Sequence, residues 1–117
     1  MKRKTTAVKF AGKTYNIGFT LGDMRSIETD IGASLVSVVM AGADAVKMVT
    51  VDFIVYSLMY GLTDKRRTYD EVCDLIDTWC FKESLDTIGG KVVQAYLESG
   101  FFIPRRVLQG AEKEESR

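Results

Sequence analysis

The twelve residues from Val51 to Leu62 constrain this chain more than any other segment. They read Val, Asp, Phe, Ile, Val, Tyr, Ser, Leu, Met, Tyr, Gly, Leu, and only Asp52 and Ser57 are plainly polar. Thr50 is placed to cap a helix over this run, and Asp52 suits the positive end of its dipole. A helix that is apolar all round is buried on every side or meets a partner chain. The run therefore predicts a central core helix, with the alternative that part of its surface is an interface. It is too short to cross a bilayer, which takes about 18 or more apolar residues, and no other stretch comes nearer. The basic start leads into no signal-peptide core, so the expectation is a soluble, cytoplasmic protein.

The flanking segments supply the rest of the fold. Thr6, Val8 and Phe10 alternate, as do Tyr15, Ile17 and Phe19, and the link Ala11-Gly12-Lys13 between them predicts an antiparallel hairpin. Its apolar face must cover something, because a lone hairpin is marginal in water. Thr20 with Asp23 opens a helix whose buried stripe is Leu21, Met24, Ile27 and Ile31, ending at Gly32. Ser34 caps a shorter helix with Leu35, Val38 and Val39 apolar, ending at Gly42. After the polar turn Thr63-Asp64-Lys65-Arg66-Arg67, Thr68 and Glu71 form a capping box for a helix with Val72, Leu75, Ile76 and Trp79 inward. Asp70, Asp74 and Asp77 make an acidic outer stripe on it. A last helical stretch, Ser84 to Ser99, places Leu85, Ile88, Val92, Val93, Tyr96 and Leu97 inward and is expected to kink or split at Gly89-Gly90. The predicted class is α+β, mostly α: an N-terminal β-hairpin followed by a compact bundle of four or five helices. Residues 1–4 read as a basic arm, 5–103 as one globular domain and 104–117 as a disordered charged tail.

Charge and residue types narrow the chemistry. The 117 residues carry 16 basic and 16 acidic side chains, unevenly spread. Lys2, Arg3, Lys4, Lys9 and Lys13 stand among the first thirteen residues with no acid, whereas residues 14–103 hold seven bases against thirteen acids. An acidic body argues against nucleic acid as the main partner, and near-zero net charge favours association. There is no histidine, the commonest general base and metal ligand. Cys73 and Cys80 cannot build a zinc site alone and read as small, buried apolar residues, not as activated nucleophiles. Ile88-Gly89-Gly90-Lys91 lacks the spacing of a phosphate loop, and Lys65-Arg66-Arg67 reads as a solvated turn. The chain is thus expected to be no enzyme, with no cofactor and no metal.

What remains is surface for other proteins. Five methionines, six phenylalanines and five tyrosines supply large, adaptable side chains. The candidate partner-binding residues are Phe53, Tyr56 and Tyr60 on the apolar helix and the strip Phe101, Phe102 and Ile103 beyond the last one. That strip either docks a partner or folds back over the core.

The order of elements resembles the tail assembly chaperones of long-tailed bacteriophages and gene transfer agents. The likeness covers roughly residues 5–100. It is carried by Lys13-Thr14-Tyr15-Asn16-Ile17-Gly18-Phe19, by Leu21-Gly22-Asp23-Met24-Arg25-Ser26-Ile27-Glu28 before Gly32, by the Val51–Leu62 helix, and by Thr68-Tyr69-Asp70-Glu71-Val72 with Leu75-Ile76. The basic first residues and the Phe101-Phe102-Ile103 strip depart from the family pattern. The resemblance implies a protein of the infected host's cytoplasm, absent from the mature virion, that shields the amphipathic helices of the tape-measure protein before tail tube subunits polymerise around it. The tail tube protein would be a second partner, and self-association through the apolar helix a further expectation. Two other readings stand beside it: a structural phage component such as a tail-completion or connector subunit, and a small nucleic-acid-binding regulator using Lys2–Lys4 and Lys65–Arg67.

Overall fold

The computed structural model describes residues 4–40 and 49–102. Strands β1 (Thr5–Phe10) and β2 (Lys13–Gly18) pair antiparallel, from Thr5 opposite Gly18 to Phe10 opposite Lys13. Ala11 (φ 51°) and Gly12 (φ 86°) both take positive φ, as a two-residue turn matched to strand twist requires. Five helices follow among the described residues: α1 (Leu21–Ile31), α2 (Leu35–Val39), α3 (Val51–Gly61), α4 (Tyr69–Trp79) and α5 (Leu85–Glu98). The fold is α+β and mostly α, a hairpin followed by a helical bundle, as the residue pattern predicts.

The caps sit where the side chains announce them. Thr20 with Asp23 and Thr68 with Glu71 form reciprocal capping boxes, and Ser34, Thr50 and Ser84 each accept a bond from a first-turn amide. Each such cap contributes about 1 kcal/mol to its helix.

Helix α3 lies at the centre, packed against α1, α4, α5 and β2. Phe19 stacks on Tyr96 at 4.2 Å, and the Tyr96 hydroxyl shares a fully buried hydrogen bond of 2.6 Å with Ser57 Oγ. At the hairpin, Phe10 stacks on Trp79 at 4.2 Å, with Tyr15 edge-on to the indole at 5.2 Å. The end of α3 joins the sheet: Ile17 bridges to Leu62, and the Thr63 amide donates to the Asn16 carbonyl at 3.1 Å. This close approach requires Gly61, because a Cβ there would stand 2.7 Å from Phe19 Cε1. The hairpin turn is fastened to the α4–α5 connection by Glu83, whose carboxylate accepts the Ala11 amide at 2.6 Å and pairs with Lys91. Lys91 also donates to the Lys9 carbonyl.

Several expectations are corrected. Leu21 is 70% exposed, since as the first residue of α1 it precedes the turn that meets the core. Leu85, likewise first in its helix, sits at the surface of α5. Gly89-Gly90 does not split α5, which runs as one helix from Leu85 to Glu98, with Gly89 packed against Val49 and Ile54. Cys80 is exposed and Cys73 half-buried, so the thiols are not core residues. Helix α2 ends at Val39, and Gly42 lies outside the described residues. So do residues 1–3 of the basic arm, Ile103 and the 104–117 segment.

Candidate protein-binding groove

The face of α3 that carries Val51, Ile54 and Val55 turns toward α4 and α5, where the three helices leave an open groove. It consists of two depressions of about 210 and about 150 Å³ that share Val51, Ile54 and Leu85. The first extends along α5 over Gly90 and Val93, and the second along α4 past Cys73, Ile76 and Cys80. Both fall below the roughly 300–1,000 Å³ typical of small-molecule pockets. They suit individual side chains of a partner better than a cofactor. Val51 is 55% exposed and Leu85 36%, so the lips of the groove are themselves apolar and wet. Phe81, in the turn that follows Cys80, is 90% exposed.

Glycine lets the groove reach the helix backbone. A Cβ on Gly89 would stand 3.0 Å from Val49 Cγ1 and 3.2 Å from Ile54 Cδ1, whereas a Cβ on Gly90 would meet nothing within 4 Å. Gly89 is therefore a packing residue, and Gly90 has open space among the described residues.

The surroundings are acidic. Asp86 lines the first depression and Asp77 the second, and among the described residues no lysine or arginine lines either. Burial pushes the Cys73 thiol above its ordinary value, and the charges of Asp70, Asp77, Asp74 and Asp52 push it further. That shift opposes thiolate formation and marks the negative potential at the groove. Tyr69 donates to Asp52 at 2.6 Å, and this bond raises the phenol to about 12.

The residues singled out from sequence are scattered differently. Phe53 is 1% exposed and tilted against Tyr96 in the core, so it has no surface to offer a partner. Tyr56 is half-buried against the Tyr69 ring at 5.1 Å. Tyr60, also half-buried, donates to Asp30 at 2.9 Å, and that bond, then burial and the Asp30 charge, raise its phenol. Phe101 is 52% exposed, while Phe102 packs edge-on against Tyr96 at 5.9 Å, so these two residues divide between surface and core. None of these residues lines the groove. Tyr60 instead borders a wider hollow of about 550 Å³ with Asp23, Lys65, Arg66 and Arg67. There Arg67 is held by Asp64 through bonds of 2.7 and 2.9 Å, and the same bonds lower the Asp64 carboxyl to about 2. Arg67 is thus committed to Asp64, while exposed Lys65 and Arg66 line the same hollow together with Asp23.

The signal for the groove was present in the sequence as Gly90, a helix-breaking residue between Leu85 and Val93, but only the splay of three helices gives it meaning. Among the described residues, no helix is long and apolar enough to cross a membrane. Compared with family models, curated proteins and solved structures, the chain has no significant match.

Proposed function

We propose that the protein is a phage tail assembly chaperone that holds amphipathic helices of the tape-measure protein in the α3–α4–α5 groove until tail tube subunits displace it. The observation that carries this reading is the groove itself: apolar, open and lipped by exposed Val51 and Leu85. A helix laid into such a groove hides its apolar stripe from water. The resemblance of residues 5–100 to tail assembly chaperones supplies the client, and the groove supplies the means. A long client carries many such stripes, so several copies hold it through avidity while each contact stays weak enough to release. Phe81 and Phe101 lie outside the groove lining and offer secondary apolar contacts. The work would take place in the host cytoplasm, before the virion is complete.

The test is an affinity capture of the tagged chain from cells producing phage, with mass spectrometry of the captured proteins and of purified virions. A long, helix-rich protein captured with the chain, and the chain missing from virions, is the expected result. The chain in finished particles, or captured only with itself or with tail tube or head-completion proteins, would make it a structural component. Capture of nucleic acid alone would make it a regulator.

A further inference from the structure

Resting on that chaperone reading, we infer that the groove selects its client helix by charge and shape: a basic-flanked amphipathic helix that seats one bulky apolar side chain over Gly90. The argument starts from Gly90. Glycine in a helix interior lowers helix stability, and it is kept where something must approach the backbone. Gly89 meets that need within the chain, through Val49 and Ile54. At Gly90 nothing of the described chain comes within 4 Å of where a Cβ would be, and the residue opens into the groove. The groove floor therefore has room there for a bulky side chain of the occupant.

Charge decides what flanks that group. The positive ends of the α3 and α5 dipoles both face this region, but Asp52 and Asp86 already sit in those first turns. Asp77 adds a carboxylate in the groove lining, and exposed Asp70 and Asp74 stand farther along α4, whose last turn carries no base. The field over the groove is therefore negative, and lysines or arginines beside the apolar stripe match it. A second copy of the chain seated groove to groove would instead set these carboxylates against their own kind, which disfavours a symmetric dimer on this face.

Two labelled helical peptides with one apolar stripe, flanked by lysine and arginine in one and by glutamate in the other, test the inference by fluorescence anisotropy on the full chain. The basic peptide is expected to bind at least about tenfold tighter at low ionic strength, with the gap closing as salt rises. It should also slow alkylation of Cys73 and Cys80. Gly90→Phe, with unchanged far-UV spectrum and melting point, should lose the binding. Asp74→Lys with Asp77→Lys, both at exposed positions, should shrink or invert the preference even if Gly90→Phe fails to fold. Equal affinity for the two peptides, binding without thiol protection, or a folded Gly90→Phe variant that binds normally would overturn the inference. So would a chain that dimerises through the groove. Any of those outcomes leaves the chaperone reading standing if the tape-measure protein is still captured from cells. Intact peptide selectivity without that capture would sink the chaperone reading alone.

Discussion

Two neighbouring glycines in one helix should respond oppositely to the same substitution. Alanine at a helix-interior glycine stabilises the helix by about 0.5–1 kcal/mol through backbone entropy. At Gly90 the new methyl group meets nothing of the described residues within 4 Å, so Gly90→Ala should show that gain in full. In a domain of this size the gain corresponds to roughly 3–5 °C in melting temperature. At Gly89 the methyl would stand 3.0 Å from Val49 Cγ1 and 3.2 Å from Ile54 Cδ1. Ile54 Cδ1 ends a side chain and has the groove to turn into, but Val49 is β-branched and stiff about χ1. Crowding of this kind costs about 1–2 kcal/mol, which cancels the helix gain and leaves Gly89→Ala unchanged or weaker by up to about 1 kcal/mol. Urea denaturation followed by far-UV circular dichroism and by fluorescence of the single tryptophan, buried Trp79, measures both variants. Running it at two protein concentrations separates folding from association. A destabilised Gly90→Ala would mean that the groove floor is filled in solution, and would refute the open groove. Equal stabilities for the two variants would refute the packing assigned to Gly89.

Four further outcomes can be read from the same assay. Gly61→Ala should destabilise by about 1–3 kcal/mol, because its methyl would be 2.7 Å from a Phe19 ring already stacked on Tyr96. Tyr96→Phe leaves the Ser57 hydroxyl buried without its 2.6 Å partner and should cost about 1–2 kcal/mol, and adding Ser57→Ala should recover part of that loss. At Glu83, burial raises the carboxyl, but the bonds from Lys91 and the Ala11 amide and the Lys91 charge hold it below the ordinary 4.5. Its contribution is complete above that value and is lost as pH falls through the lower folded-state pKa, so Glu83→Gln should flatten the acid limb of the stability curve. Val51→Ser with Leu85→Ser, at exposed lip positions, should change stability by under about 1 kcal/mol, whereas buried Ile54→Ala in the same groove should cost about 2–5 kcal/mol.

What the sequence disclosed follows from the range of the forces involved. Caps act over three residues, so Thr20 with Asp23, Thr68 with Glu71 and the single caps Ser34, Thr50 and Ser84 set helix starts that local pattern alone can read. Alternation did the same for the hairpin. The stripe rule misplaced Leu21 and Leu85 because periodicity does not say how much of a helix the core reaches, and first turns often overhang it. Phe53 was misread for a different reason. On a helix apolar all round, nothing local distinguishes the residue that meets Tyr96 inside from the one that meets water. The stack of Phe10 on Trp79 joins residues far apart in the chain, and no pattern within either segment foretells it.

The apolar helix now has a physical account that neither starting expectation gave alone. One side of α3 is spent on the core, where Phe53, Ser57 and Leu58 are buried. The other side buries Ile54 and Val55 as well, against α4 and α5, and only Val51 at its first turn stands exposed at the lip of the groove. Valine at an exposed first-turn position lowers solubility, and glycine across the groove on α5 lowers helix stability. These features come from two separate helices and converge on one apolar, acid-rimmed groove, and the proposed client helix would account for them together.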